Sequence, residues 1–164
     1  MKEDHRVCCF RKGTRVLMAD QTEKAIERVE IWDQILSGEG KIATVSNRCQ
    51  ELTEDLFQIE TEIGQIEVGP AQPLLTRGGW KIAQSLSRED ILLQLEGGAR
   101  ILGIRYMEYI GKVYSLEVYE EPHSMVCNGL VVGDDYKMVE LMRSYSAIEL
   151  ASMVAASQER LEWK

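Results

Sequence analysis

Cys9 is the residue of this chain best placed to do chemistry. It stands directly before Phe10, and Gly13, Thr14 and Val16 follow in the pattern Cys-Phe-x-x-Gly-Thr-x-Val. A cysteine thiol is a nucleophile when a base or a low pKa activates it. Only two histidines, His5 and His123, exist to assist. Near the other end an acidic pair, Asp134-Asp135, closes the apolar run Leu130-Val131-Val132-Gly133, which reads as a strand returning beside the first. Cys8, Cys49 and Cys127 form no C-x-x-C pair and have no histidine cluster nearby, so no zinc site and no other metal or cofactor is expected. Adjacent Cys8 and Cys9 would make an awkward disulfide framework. Reduced thiols and a cytoplasmic setting are the expectation.

Composition narrows the classes further. A chain of 164 residues is expected to hold one main domain with a core that needs no staples. The formal net charge of −8 argues against nucleic acid and anionic membrane as partners, since both call for excess Lys and Arg. The segment Met1–His5 lacks an apolar signal region, and no apolar run approaches a membrane span.

The elements that would position Cys9 are strands. Residues 1–8 read as a short polar leader. Val16-Leu17-Met18 is a strand, 19–22 a turn, and Lys24–Val29 and Ile31–Leu36 continue the β pattern. Residues 46–56 are polar and read as irregular. Phe57–Ile63 alternates apolar and polar residues, and Gly64 turns it into a hairpin with Gln65–Val68. Gly69-Pro70-Ala71-Gln72-Pro73 cannot be regular structure. Leu74–Thr76, Ile101–Ile110, Val113–Val118, Ser124–Cys127 and Leu130–Val132 complete the strands, with turns at Arg77–Trp80, at Gly111-Lys112 and, type I′-like, at Asn128-Gly129. Trp32, Trp80 and Tyr114 are expected in the core.

An internal repeat lies under this pattern. Lys24–Leu36 aligns with Lys81–Leu93 at a constant offset, placing Asp33 on Asp90, Val29 on Leu86 and Ile35 on Leu92. A β-unit that has been duplicated, with its copies packed face to face, is implied. After Asp135 the β pattern stops. Ser146–Glu149 reads as a capping box, and Ala147, Leu150, Val154 and Leu161 share one helical face. The tail 136–164 is therefore expected to be helical, with a shorter helix over 136–143, an acidic pair at its N-terminus, and a face suited to packing on the domain, a protein partner or a second copy.

Four blocks together resemble the Hint (hedgehog/intein) family over 9–135. They are Cys9–Val16; Val68–Thr76 with Gly79, Trp80 and Asp90; Val113–Val118 with His123; and Asn128–Asp134. The resemblance implies an all-β, horseshoe-like fold with pseudo-two-fold internal duplication, first and last strands side by side at one site, and a minimal domain without an endonuclease insertion. It also implies a chemistry. The first thiol attacks the preceding carbonyl to form a thioester, and a histidine in T-x-x-H protonates the departing nitrogen. A terminal asparagine then cyclises, helped by the histidine before it and the one in the third block.

Carried over by position, Cys9 keeps the nucleophile and His123 the third-block histidine. The other family positions depart. Gly69 stands for the threonine and Gln72 for the histidine of T-x-x-H, Ser115 for an aspartate, Gly133 for the penultimate histidine, and Asp134 for the terminal asparagine. Asp135, which follows, is no nucleophile for transesterification. Each lost histidine removes an acid–base contribution of roughly 10²–10⁴-fold. The expected function is thus a degenerate intein-like domain that does not splice and serves as a scaffold or interaction module. The alternative is residual self-cleavage, by an acyl shift at Cys8–Cys9 that Cys8 could trap, or by cleavage after Asp134.

Overall fold

Phe57–Thr61, most of the alternating segment, becomes one end of a long strand, with Glu62-Ile63 as the turn and Gly64 opening the strand that pairs back. The computed structural model describes residues 9–143. Its strands are β1 (Phe10–Arg11), β2 (Arg15–Leu17), β3 (Glu23–Ala25), β4 (Gln34–Leu36), β5 (Ile42–Thr61), β6 (Gly64–Val68), β7 (Pro73–Thr76), β8 (Gly79–Ile82), β9 (Ile91–Leu93), β10 (Gly98–Val118), β11 (Ser124–Cys127) and β12 (Leu130–Gly133). One α-helix follows, α1 (Asp135–Arg143). The leader 1–8, Cys8 and the capping-box helix beyond 143 lie outside the described residues.

Hydrogen-bonded neighbours run β3-β2-β11-β12-β7-β9-β10-β1-β6-β5-β4, with β8 on β7 and β5 also paired with β10. The pairings are antiparallel. Phe57, Ile59 and Thr61 face inward opposite Val68, Ile66 and Gly64 of β6. Phe57, Ile59, Ile66 and Val68 join Phe10, Val16, Ile35, Val45, Leu74, Leu92, Leu116, Met125, Leu130 and Val132 in one contiguous core. The Asn128-Gly129 turn has positive φ at both residues (50° and 83°), as a type I′ hairpin needs, and joins Cys127 to Leu130. Cys127 belongs to this core, where burial pushes its thiol pKa up and leaves it inert.

The repeat is visible as geometry. Lys24 Nζ meets Asp33 Oδ2 at 2.8 Å, and Lys81 Nζ meets Asp90 Oδ1 at 2.7 Å. In each copy the same aspartate also accepts a backbone N–H three residues back, from Glu30 and from Ser87, at 2.9 Å. A short 3₁₀ turn precedes it both times, Ile26–Arg28 and Ala83–Ser85. The long arms that follow, β5 and β10, pair with each other from Ile101↔Thr61 to Val118↔Val45. Each copy thus sends its arm across to the other.

Three expectations change. Residues 46–56 are not irregular but the middle of β5, and Gly111-Lys112 is not a turn, since Gly111 pairs with Thr53 inside β10. In the middle of β5 one face is exposed and the other only half-buried, and its side chains are mostly polar, so little apolar alternation marks its rungs. A bulge between Glu108 and Gly111 takes up one extra residue. Trp32 is not core either. It is 69% exposed and stacks on Tyr119, whereas Trp80 and Tyr114 are half-buried. Among the described residues no helix is long and apolar enough to cross a membrane.

Candidate functional site

The turn Gly69-Pro70-Ala71-Gln72 builds the centre of the site. Proline at its second position presets the backbone, and the Gln72 N–H closes it onto Gly69 O at 3.2 Å. This aims the Gln72 side chain inward, where it is buried. Its Oε1 accepts the N–H of Cys9 at 3.1 Å. Its Nε2 donates to Gly133 O at 2.7 Å and to Pro73 O at 3.2 Å. One carboxamide therefore ties the start of β1 to the end of β12. The first and last strands do not pair directly: β1 lies between β10 and β6, and β12 between β11 and β7. Gln72 spans the gap.

Cys9 is buried, and its backbone sits at φ +97°, a conformation that costs a non-glycine residue about 1–3 kcal/mol. It persists because both its amide groups are held: the N–H by Gln72, and the carbonyl by the Gly69 N–H at 2.9 Å. Gly69, which stands where a threonine was expected, thus binds Cys9 through its backbone.

A second cluster adjoins through the Gly133–Asp134 peptide. His123 Nδ1 is 3.0 Å from Asp134 Oδ2. That oxygen also accepts the Val118 N–H, and Oδ1 accepts the Lys137 N–H, both at 2.9 Å. Asp134 is therefore the N-cap of α1, its side chain holding a first-turn N–H. Its own carbonyl accepts the Met138 N–H at 3.1 Å as the first intrahelical bond. Burial raises the Asp134 carboxyl above the usual aspartate range, against the opposing pull of these hydrogen bonds and His123.

Contacts that sequence reasoning did not foresee complete the site. Tyr136 stacks on the His123 ring at 4.0 Å between centroids. Asp135 Oδ2 accepts the Ser115 hydroxyl at 2.9 Å, so a carboxylate stands beside Ser115 after all, supplied from another segment. Lys137 lies across Gly133 and places its Nζ 5.1 Å from the Trp80 ring centre. A Cβ at Gly133 would fall 2.6 Å from Lys137 Cγ. The only sequence signal for Tyr136 and Lys137 was their place in the first turn of the expected helix. Among the described residues no group of three or more His, Cys, Asp or Glu could hold a metal ion.

Four residues from four distant segments, Cys9, Gln72, His123 and Asp134, thus meet at the end of β12. Residues 9–70 match the family model described as Hom_end-associated Hint. Solved structures agree over most of the chain. The gp41-1 intein superposes with a TM-score of 0.69 at 20% identity, covering 77% of this chain and 98% of that one. The bacterial intein-like domain from Clostridium thermocellum gives 0.70 at 20%, with 77% and 98% covered. A DnaB intein from Synechocystis gives 0.67 at 20%, with 78% and 99% covered.

The chain has a Hint-type, intein-like fold.

No curated protein matches the sequence. In this Hint-type fold the carboxamide of Gln72 can hold and polarise the amide before Cys9, but it has no titratable proton to deliver to it.

Proposed function

We propose that this Hint domain does not splice and is retained as a protein-interaction scaffold. The observation that carries the reading is the junction after Asp134. An asparagine there would cyclise by attacking its own carbonyl with a side-chain nitrogen. Asp134 offers a carboxylate whose two oxygens are held by Val118, Lys137 and His123, and a carbonyl committed to α1. The Asp134–Asp135 peptide is the first link of a helix rather than an exposed scissile bond. Gln72 in place of a general acid and Gly133 in place of a histidine support the same reading.

A second reading, slow cleavage at Cys8–Cys9, draws on one observation, the strained backbone of Cys9 next to a held amide. Intact mass spectrometry of the full chain over days, with and without dithiothreitol, separates the two. The expected outcome is an unchanged mass in both conditions. A product beginning at Cys9 that grows with thiol establishes residual cleavage instead, and one ending at Asp134 overturns the account of the helix junction.

A further inference from the structure

Ile31 and Trp32 form the middle of a turn closed by the Asp33 N–H on Glu30 O at 3.0 Å. Trp32 occupies its third position at φ +80°, where a type II turn calls for glycine or asparagine. The duplicated copy provides an internal comparison. Its equivalent turn, Ser87–Asp90, closes in the same way at 3.1 Å, yet Glu89, the counterpart of Trp32, takes no positive φ. The first copy gains one backbone bond from its flipped peptide, Trp32 N–H to Val45 O at 2.9 Å. A glycine would make that bond without strain. The indole is not required by the turn, and with 69% of the residue exposed it adds little to the core.

What the indole does is stack on Tyr119, itself 57% exposed, with ring centres 5.7 Å apart and planes 28° from parallel. Tyr119 is fixed by its N–H on Thr44 O, and the next residue, Glu120, clamps the Thr44 N–H at 2.7 Å. The result is a firmly mounted aromatic pair on the surface. Exposed carboxylates come with it: Glu30 from the Trp32 turn, and Glu120 and Glu121 directly after Tyr119. The chain covers two of its other aromatics with its own cations, Arg11 over Tyr109 at 4.8 Å and Lys137 over Trp80 at 5.1 Å. Among the described residues no Lys or Arg stands over Trp32 or Tyr119.

We infer that the Trp32–Tyr119 pair is a docking site for a lysine- or arginine-bearing polypeptide segment of a partner. A cation is drawn to an aromatic face within about 6 Å, and the flanking carboxylates and the net charge of −8 favour the same sign of partner. This rests on the reading of the domain as an interaction module and names the surface that would serve it.

The test titrates the full chain with tetra-arginine, with its neutral citrulline analogue and with a neutral oligosaccharide, following the Trp32 indole N–H by NMR and affinity by calorimetry. Tetra-arginine is expected to shift the Trp32 signal, and the two neutral probes are not. Trp32→Gly keeps the net charge and the turn. It should keep or raise the melting temperature while weakening tetra-arginine binding at least tenfold. Unchanged affinity in Trp32→Gly, or equal binding of the citrulline peptide or the oligosaccharide, overturns the proposal. An intact chain that ignores tetra-arginine removes this surface and leaves the loss of splicing standing.

Discussion

Gln72 is the residue on which the site turns, because its one side chain satisfies buried groups from two ends of the chain. Replacing it with alanine leaves the Cys9 N–H and the Gly133 carbonyl without it, at about 1–3 kcal/mol for each buried orphan. Denaturant unfolding of Gln72→Ala should show a loss of that size. Gln72→His supplies a titratable proton beside the same amide. Thiol-dependent release of a chain beginning at Cys9 should then become detectable by mass, where the parent shows none. Asp134 makes a different prediction. Its folded pKa is raised, so the folded state holds that proton more tightly than the unfolded chain does. Its contribution is therefore greatest below the ordinary value of 3.8 and is lost as pH rises from there through the folded pKa. Asp134→Asn should remove that decline from the stability–pH curve. It should also lose about 1–3 kcal/mol, because an amide cannot accept on both of its atoms.

Helix α1 and the ribbon of β5 and β10 show what an element owes to its surroundings. The first turn of α1 rests on Gly133, where Lys137 fills the space a side chain would take. Gly133→His should push that turn away, costing about 1–3 kcal/mol by overpacking. The indole N–H resonance of Trp80 should shift as Lys137 leaves its ring. The short helix was legible in the sequence through its acidic N-terminus and the end of the β pattern. The contacts of Tyr136 and Lys137 were not, since they depend on which strand end the helix meets. The ribbon escaped for the opposite reason. Its strands are long because each is the other's partner, and residues 46–56 carry no apolar stripe to announce it. Trp32 was misread as core because an aromatic at a position of positive φ looks, in sequence, like any other buried aromatic.

At the scale of the whole molecule the duplication was the most legible feature, because a Lys–Asp pair and its apolar neighbours survive at fixed spacing in both copies. The convergence of Cys9, Gln72, His123 and Asp134 was reachable only through the resemblance, since no local pattern links a loop glutamine to both chain ends. The two copies are not equal in burial: Asp90 keeps 12% of its side chain exposed against 27% for Asp33. Asp90→Asn should therefore destabilise more than Asp33→Asn. Thermal unfolding of the double variant should give the sum within about 0.3–0.5 kcal/mol, since the two aspartates share no partner. The bridge made by Gln72 also has a mechanical meaning. Pulled apart at residues 9 and 134, the domain is loaded across the Gln72 side chain and the few backbone bonds that hold Cys9 and Asp134 before any long ladder is stretched. The site would open first, β1 would peel next, and the many rungs of β5 and β10 would give way last.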